Sequence, residues 1–420
     1  MASHAIISHL KKAGRPNGIC QPHSPHPALF LKGAVMSETL TSPKTSSASP
    51  SPHIASGFEM ISLIVFIAIA LVIAGLVSLD TGWTGIGLFV LGGLLGGVFL
   101  GFQYGFASAW RRALVHGEMM GISGHFLLIG LCACIFIPAS LWGLDGAGSI
   151  APVSVSLFIG AFMFGIGMQL ANGCGSGVLF SFGGGSGRMI IALPFFIIGS
   201  VLGSFILPAA LDWGSAGPIA IADNFSDAPK ALINLALIGL AGGGFYAIGR
   251  RRGQHLDKRL LLACVIIAVL CGAVFALSGH PWGVTFGFTL WGAKLAQDLG
   301  VPVEDFAFWQ WPGPARALGH SLLSDVSSLM NIGMVLGAAM LASVSGQLRR
   351  QSWPSGKQLL AAAIGGILMG IGARLSFGCN IGAFLGGIAS GSVHGWVWFV
   401  LAMAGSWAGV YLRPGFGLSK

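Results

Sequence analysis

The sequence predicts an all-α, polytopic integral membrane protein with about nine to eleven transmembrane segments, and three observations predict it. Of 420 residues, 54% are hydrophobic and only 8% charged. Soluble domains carry about 25% charged residues, so this chain has too few charges to cover a water-facing surface. Apolar stretches of the roughly 17–25 residues that cross a bilayer recur along its length. Glycine contributes 67 residues without any Gly-x-y period, set among Leu, Ile, Phe and Ala. That placement excludes collagen and disorder, and it suits helices packed closely in lipid.

Residues 1–57 contain HLKKAGRP and SPKTSSASPSPH. They are polar and rich in Pro and Ser, so a disordered extension dispensable for activity is expected, with Met36 an alternative start. Residues 58–413 read as a single transmembrane domain and 414–420 as a short tail. Candidate spans lie near 60–78, 85–110, 122–143, 152–172, 189–210, 230–249, 260–278, 282–298, 326–347, 358–375 and 395–412. Within 299–325, VPVEDFAFWQWPGPARALGH is too short and polar to span. It is expected to dip into the membrane or lie on its surface.

The net charge of +9 builds no basic face with interleaved aromatics, so nucleic acid is not a partner. The basic residues instead sit between apolar segments. Arg250, Arg251, Arg252, Lys258 and Arg259 form the most basic linker, and Arg111, Arg112, Arg349, Arg350 and Lys357 should share its side. The positive-inside rule makes that side cytoplasmic. The linker 211–229 holds Asp212, Asp223 and Asp227 with no basic residue, and is placed outside. The seven cysteines, an odd number mostly in apolar runs, do not read as a disulfide framework. Nothing in the sequence reads as a metal or cofactor site. GGGSG at 183–187 has no following G-K-[ST] and no strand before it, so it is not a phosphate loop.

The most informative feature is an internal repeat. Residues 165–177 read GIGMQLANGCGSG and residues 370–382 read GIGARLSFGCNIG. Each copy ends an apolar helix, places a cysteine just beyond it and runs on through small residues into another apolar helix. A second pair, GFASAWRR at 105–112 and GFTLWGAK at 287–294, precedes the copies. Each member begins Gly-Phe and carries a cation seven residues later, Arg112 or Lys294. The expectation is two pseudo-repeats, about 85–250 and 260–413, inverted in topology, with broken or re-entrant helices at the midplane. Paired helix breaks in two halves are the best sequence pointer to a transporter's binding site.

These motifs, with SGHPWGVTFGFTLWGAK at 278–294, resemble the YeeE/YedE membrane family over about residues 85–413. The resemblance implies an importer of thiosulfate or a related sulfur anion in the bacterial inner membrane. It also implies a pore lined by the motif cysteines, here Cys174 and Cys379. It further implies a small cytoplasmic sulfur-carrier protein as partner; some relatives are linked to selenium compounds instead. One departure stands out. Many members carry a further cysteine in an early G-F-C motif, where this chain has Gly105-Phe106-Ala107, so a relay of three thiols is in doubt.

The residues give that reading a physical basis. A pore for a doubly charged anion needs donors that hold it weakly enough for release. A thiol S–H is such a weak donor, and its polarizable sulfur suits a sulfur-terminated anion. Gly173, Gly175, Gly177, Gly378 and Gly382 let backbone N–H groups approach a ligand. Helix N-termini opening after each break add partial positive charge. Lys294 and Arg374 are ionisable residues inside apolar segments, and such positions are functional candidates. Competing readings stay open: Cys174 and Cys379 as small packing residues, as Cys132, Cys134, Cys264 and Cys271 are read, Lys294 as a snorkelling residue paired with Asp298, and Arg374 as a partner of a carboxylate. At the level of function the alternatives are a passive anion channel and a membrane sulfur-transfer or redox enzyme. Against the enzyme, neither cysteine has a neighbouring His or carboxylate in sequence to generate thiolate.

Overall fold

A computed structural model describes residues 57–141, 148–221, 227–350 and 353–420. The expectations for residues 1–56, Cys20 among them, lie outside the described residues, as does Asp223. The helices run α1 (Gly57–Asp80), α2 (Gly82–Phe102), α3 (Phe106–His116), α4 (Met120–Leu141), α5 (Val155–Ala171), α6 (Gly175–Gly183), α7 (Gly187–Leu211), α8 (Asp227–Arg251), α9 (Lys258–Ser278), α10 (Thr285–Asp298), α11 (Ala307–Gln310), α12 (Pro312–Gly319), α13 (Val326–Val344), α14 (Gly356–Leu375) and α15 (Val393–Leu412). A π-helical segment, Asn380–Gly387, follows α14. Among the described residues, 10 helical stretches are long and apolar enough to cross a membrane. The protein is therefore an all-α, multi-pass membrane protein, within the expected range of spans.

Three local expectations need correction. The stretch 85–110 is not one helix. It breaks after Phe102, where Gln103 adopts φ 51° and Tyr104 N bonds back to Phe99 O, and α3 begins afresh at Phe106. The stretch 282–298 supplies only the 14-residue α10, about 21 Å at 1.5 Å per residue and short of the hydrocarbon core. The start of 152–172 is a short strand, Pro152–Ser154, paired antiparallel with Ser215–Pro218 before α5 begins. The region 299–325 does not span, as expected. It winds through short helical turns that bury Phe308 and Trp309 against α7.

Glycine explains how the helices approach one another. A Cβ at Gly96 of α2 would lie 2.0 Å from Met334 O of α13, and one at Gly337 of α13 would lie 2.0 Å from Gly93 O of α2. At Gly370 of α14 a Cβ would meet Phe196 O and Ser200 N of α7, both at 2.4 Å. At Gly405 of α15 it would meet Phe162 O of α5 at 2.0 Å. Backbones this close leave no room for any side chain, which is how helices gain dispersion contact in a solvent of lipid tails.

The packing partners come in matched sets. Helix α14 lies on both α5 and α7, and α5 also lies on α15. Helix α2 packs on α13 and α9 packs on α4, while α1 packs on α13 and α8 on α4. Helices α1 and α8 are the most lipid-exposed, with 6% and 11% of their most apolar windows buried. This arrangement places the two cysteine motifs, at the ends of α5 and α14, in the middle of the helix assembly.

Candidate functional site

Both motif cysteines occupy the same local structure. Helix α5 stops at Asn172, which takes the left-handed conformation at φ 66°. The chain then extends through Cys174 (φ −90°, ψ −172°), which caps α6 by accepting a hydrogen bond on Sγ from Gly177 N at 3.3 Å. Helix α14 ends similarly, with Phe377 left-handed at φ 58° and Gly378 at φ 154°. An added Cβ at Gly378 would also lie 2.7 Å from Ala383 N, so only glycine serves there. Cys379 is extended (φ −120°, ψ −164°) and accepts on Sγ from Ile381 N at 3.4 Å. Its carbonyl accepts from both Ala383 N and Phe384 N, at 2.9 and 3.3 Å. That i→i+5 bond starts the π winding, a geometry frequent at functional sites.

Sulfur is a weak acceptor, and Ser, Thr, Asp and Asn are the residues that cap helices best. A thiol at both caps is therefore not explained by helix stability. The two breaks also meet. A methyl group on Gly175 would lie 3.0 Å from Cys379 Sγ and 3.8 Å from the methyl of Thr285. A methyl group on Gly177 would lie 3.2 Å from Cys174 Sγ. These two glycines keep space open around the sulfurs, while an added Cβ at Gly382 would meet nothing within 4 Å. Both cysteines are 1% exposed.

A cavity of about 400 Å³ reaches Cys174. Its walls come from the α2–α3 break (Gln103, Gly105, Ala107), the first motif (Gly173, Gly177) and Met189. Arg112 and Gln347 also line it, on the side where the basic residues gather. Ala107 lies beside the first motif, its carbonyl accepting from Gln169 Nε2 at 3.2 Å. Position 107 thus faces the same space as Cys174. Cys379 is not among the lining residues. A larger cavity of about 840 Å³ shares Gln103, Gly105, Arg112 and Gln347 with it and extends past Tyr104 and His125. The smaller one is lined by Cys174.

Arginines gather around the first break. Arg111 donates to Asn172 Oδ1, at the first break itself, and Arg413 donates to Gln169 O and, at 3.4 Å, to Asn172 Oδ1. Arg112 pairs with Glu118 at 3.0 Å. Neither of the two intramembrane cations named from sequence lines this cavity. Lys294 donates to Leu318 O at 2.9 Å, at the end of α12, and does not line the cavity. Arg374 stands over the rings of Phe286 and Phe308, at 5.9 and 5.8 Å. Such cation–π contacts replace part of the lost hydration, and its Nε has no hydrogen-bond partner among the described residues. Of the other cysteines, Cys132, Cys264 and Cys271 are buried and Cys134 is exposed. Sequence reasoning missed Asn172, Gln169 and Arg413 as parts of the site. Gln169 and Arg374 occupy the same place in the two motif copies, and that correspondence was the available signal.

A sulphur transport family pattern matches residues 103–408, well over half of the chain. The probable transporter YedE of Escherichia coli (strain K12) is 33% identical over 147 residues, which cover 35% of this chain and 36% of that protein. The thiosulfate transporter TsuA of Spirochaeta thermophila is 28% identical over 350 residues, covering 77% of this chain and 97% of TsuA. The TsuA of Escherichia coli (strain K12) is 23% identical over 365 residues. The chain thus spans about a third of YedE and nearly the whole of each TsuA. All are named as transporters rather than enzymes. With the cysteine-bearing breaks at 172–174 and 377–379 inside the matched region, this chain belongs to the sulphur transport family of membrane proteins.

Proposed function

We propose that this protein imports thiosulfate, or a closely similar small sulfur-containing anion, into the cytoplasm along a path lined by Cys174 and Cys379. The observation that carries this reading is the convergence of two thiol-capped helix breaks, with Gly175 against Cys379 Sγ, beside a cavity lined by Cys174 and Arg112. Irregular backbone at membrane depth is tolerated where it is buried in protein or lines a cavity. Weak S–H donors and the N-terminal amides of α6 and the π segment can each hold a dianion without trapping it. The arginines around the first break would supply long-range attraction on the cytoplasmic side, where a small sulfur-carrier protein would collect the cargo.

The family setting supports a place in the bacterial inner membrane with the basic linker 250–259 inside. The matched packing partners, with α5 on α15 answered by α7 on α14, support two related halves. Uptake of radiolabelled thiosulfate by proteoliposomes containing the purified protein tests the proposal. Saturable uptake is expected, together with its loss in Cys174→Ala and Cys379→Ala. Wild-type vesicles no more permeable than protein-free ones would overturn it.

A further inference from the structure

The residue after Cys379 is Asn380, and it is wholly buried at 0% exposure. Neither end of its side-chain amide, Nδ2 or Oδ1, has a hydrogen-bond partner among the described residues. Two other buried asparagines differ in the respect that matters. Asn234 donates its NH₂ to Ile388 O at 3.0 Å and Asn331 donates to Val284 O at 2.8 Å, each leaving only an oxygen free. Those two tie elements together, whereas Asn380 ties nothing. Buried polar groups are bonded in the great majority of cases, and a fully orphaned amide carries a desolvation cost at both ends. The motif sharpens the point. In the first copy the residue after the cysteine is Gly175, and in the second it is Asn380. A glycine therefore satisfies the backbone of a thiol-capped break, and the amide is an addition to it.

We infer that Asn380 is a substrate ligand, its NH₂ donating to an oxygen of a sulfur oxyanion as the sulfur end of that anion passes the Cys379 thiol. This rests on the transport reading above and deepens it by assigning specificity. A thiol and an amide on successive residues would distinguish an anion with both sulfur and oxygen termini from one with oxygens alone. A site built to bond a substrate group loses most when that bond cannot form.

Three variants test the assignment in proteoliposomes, with thiosulfate as the probe and sulfate as competitor. Asn380→Leu keeps the branched four-atom skeleton and removes the donor. Asn380→Gly reproduces the first copy, and Asn380→Ser keeps a smaller donor. The expected result is a rise in the half-saturating thiosulfate concentration of about tenfold or more for Leu and Gly, the worth of one bond to a charged group. Serine should fall in between, and the preference for thiosulfate over sulfate should narrow in Leu. A packing role predicts the opposite order, with Leu tolerated better than Ser. Leu matching wild type, or Leu outperforming Ser, overturns the inference. So does loss of the folded, monodisperse protein in both Leu and Gly, since an amide bonded to nothing cannot be what holds the fold. Failure of wild-type uptake would instead overturn the transport reading, so the two failures are distinguishable.

Discussion

At the scale of single residues, the thiol caps separate stability from transport. Serine is nearly isosteric with cysteine and accepts hydrogen bonds better, so Cys174→Ser should hold its cap to Gly177 N at least as well. Cys379→Ser should do the same toward Ile381 N. Melting temperatures in detergent are therefore expected to stay level or rise for the serine variants. Alanine should cost about 1 kcal/mol or less. Uptake should fall strongly in all four variants, because a harder, stronger-bonding hydroxyl holds the anion differently from a thiol. Cys132→Ala and Cys264→Ala, at buried positions outside the two cysteine motifs, should transport normally. Equal uptake across the series would leave the motif cysteines as packing residues. The two cysteines were legible in the sequence because a repeated motif carries them. Asn380 was not, since Asn beside Gly reads as ordinary turn chemistry and only its unbonded surroundings mark it out. Lys294 shows the converse: a charge in an apolar run draws attention, yet its ammonium is spent on the Leu318 carbonyl.

At the scale of elements, the glycine contacts predict which substitutions the fold tolerates. Gly370→Leu would force a side chain into Phe196 O and Ser200 N and separate α14 from α7. A cost of about 3 kcal/mol or more is expected, read as lost monodisperse yield and a lowered melting temperature. Gly243 on α8 has open space at its Cβ, so Gly243→Ala should be neutral or slightly stabilising by the same measurement. Helix positions were legible because lipid-spanning length and composition are local properties. The break at Gln103 was not, because FLGFQYGF continues the apolar run and only the back-bond from Tyr104 N to Phe99 O ends the helix. The π winding after Cys379 was likewise invisible, since it depends on one carbonyl accepting from two successive amides.

At the scale of the whole molecule, orientation is the property most open to test. The basic linker between α8 and α9 is expected in the cytoplasm and the strand Ser215–Pro218 outside. Gly253 has φ 73°, which a cysteine would adopt only under strain, so the exposed His255 and Ser215 are better probe positions. Ser215→Cys should react with an impermeant thiol reagent added to intact cells, and His255→Cys only after permeabilisation. The reverse pattern would invert the molecule. The sequence by itself determined the membrane class, the approximate spans and the cysteine motifs. Composition and periodicity report directly on a chain's solvent, and a repeated motif declares itself without a fold. The tertiary structure decided that the two motifs meet, with Gly175 against Cys379 Sγ. It also decided that arginines from α3 and the C-terminal end of α15 converge on Asn172, and that Lys294 turns away. These are contacts between segments as much as 241 residues apart, and their energy depends on which backbones pack, which no local stretch of sequence specifies.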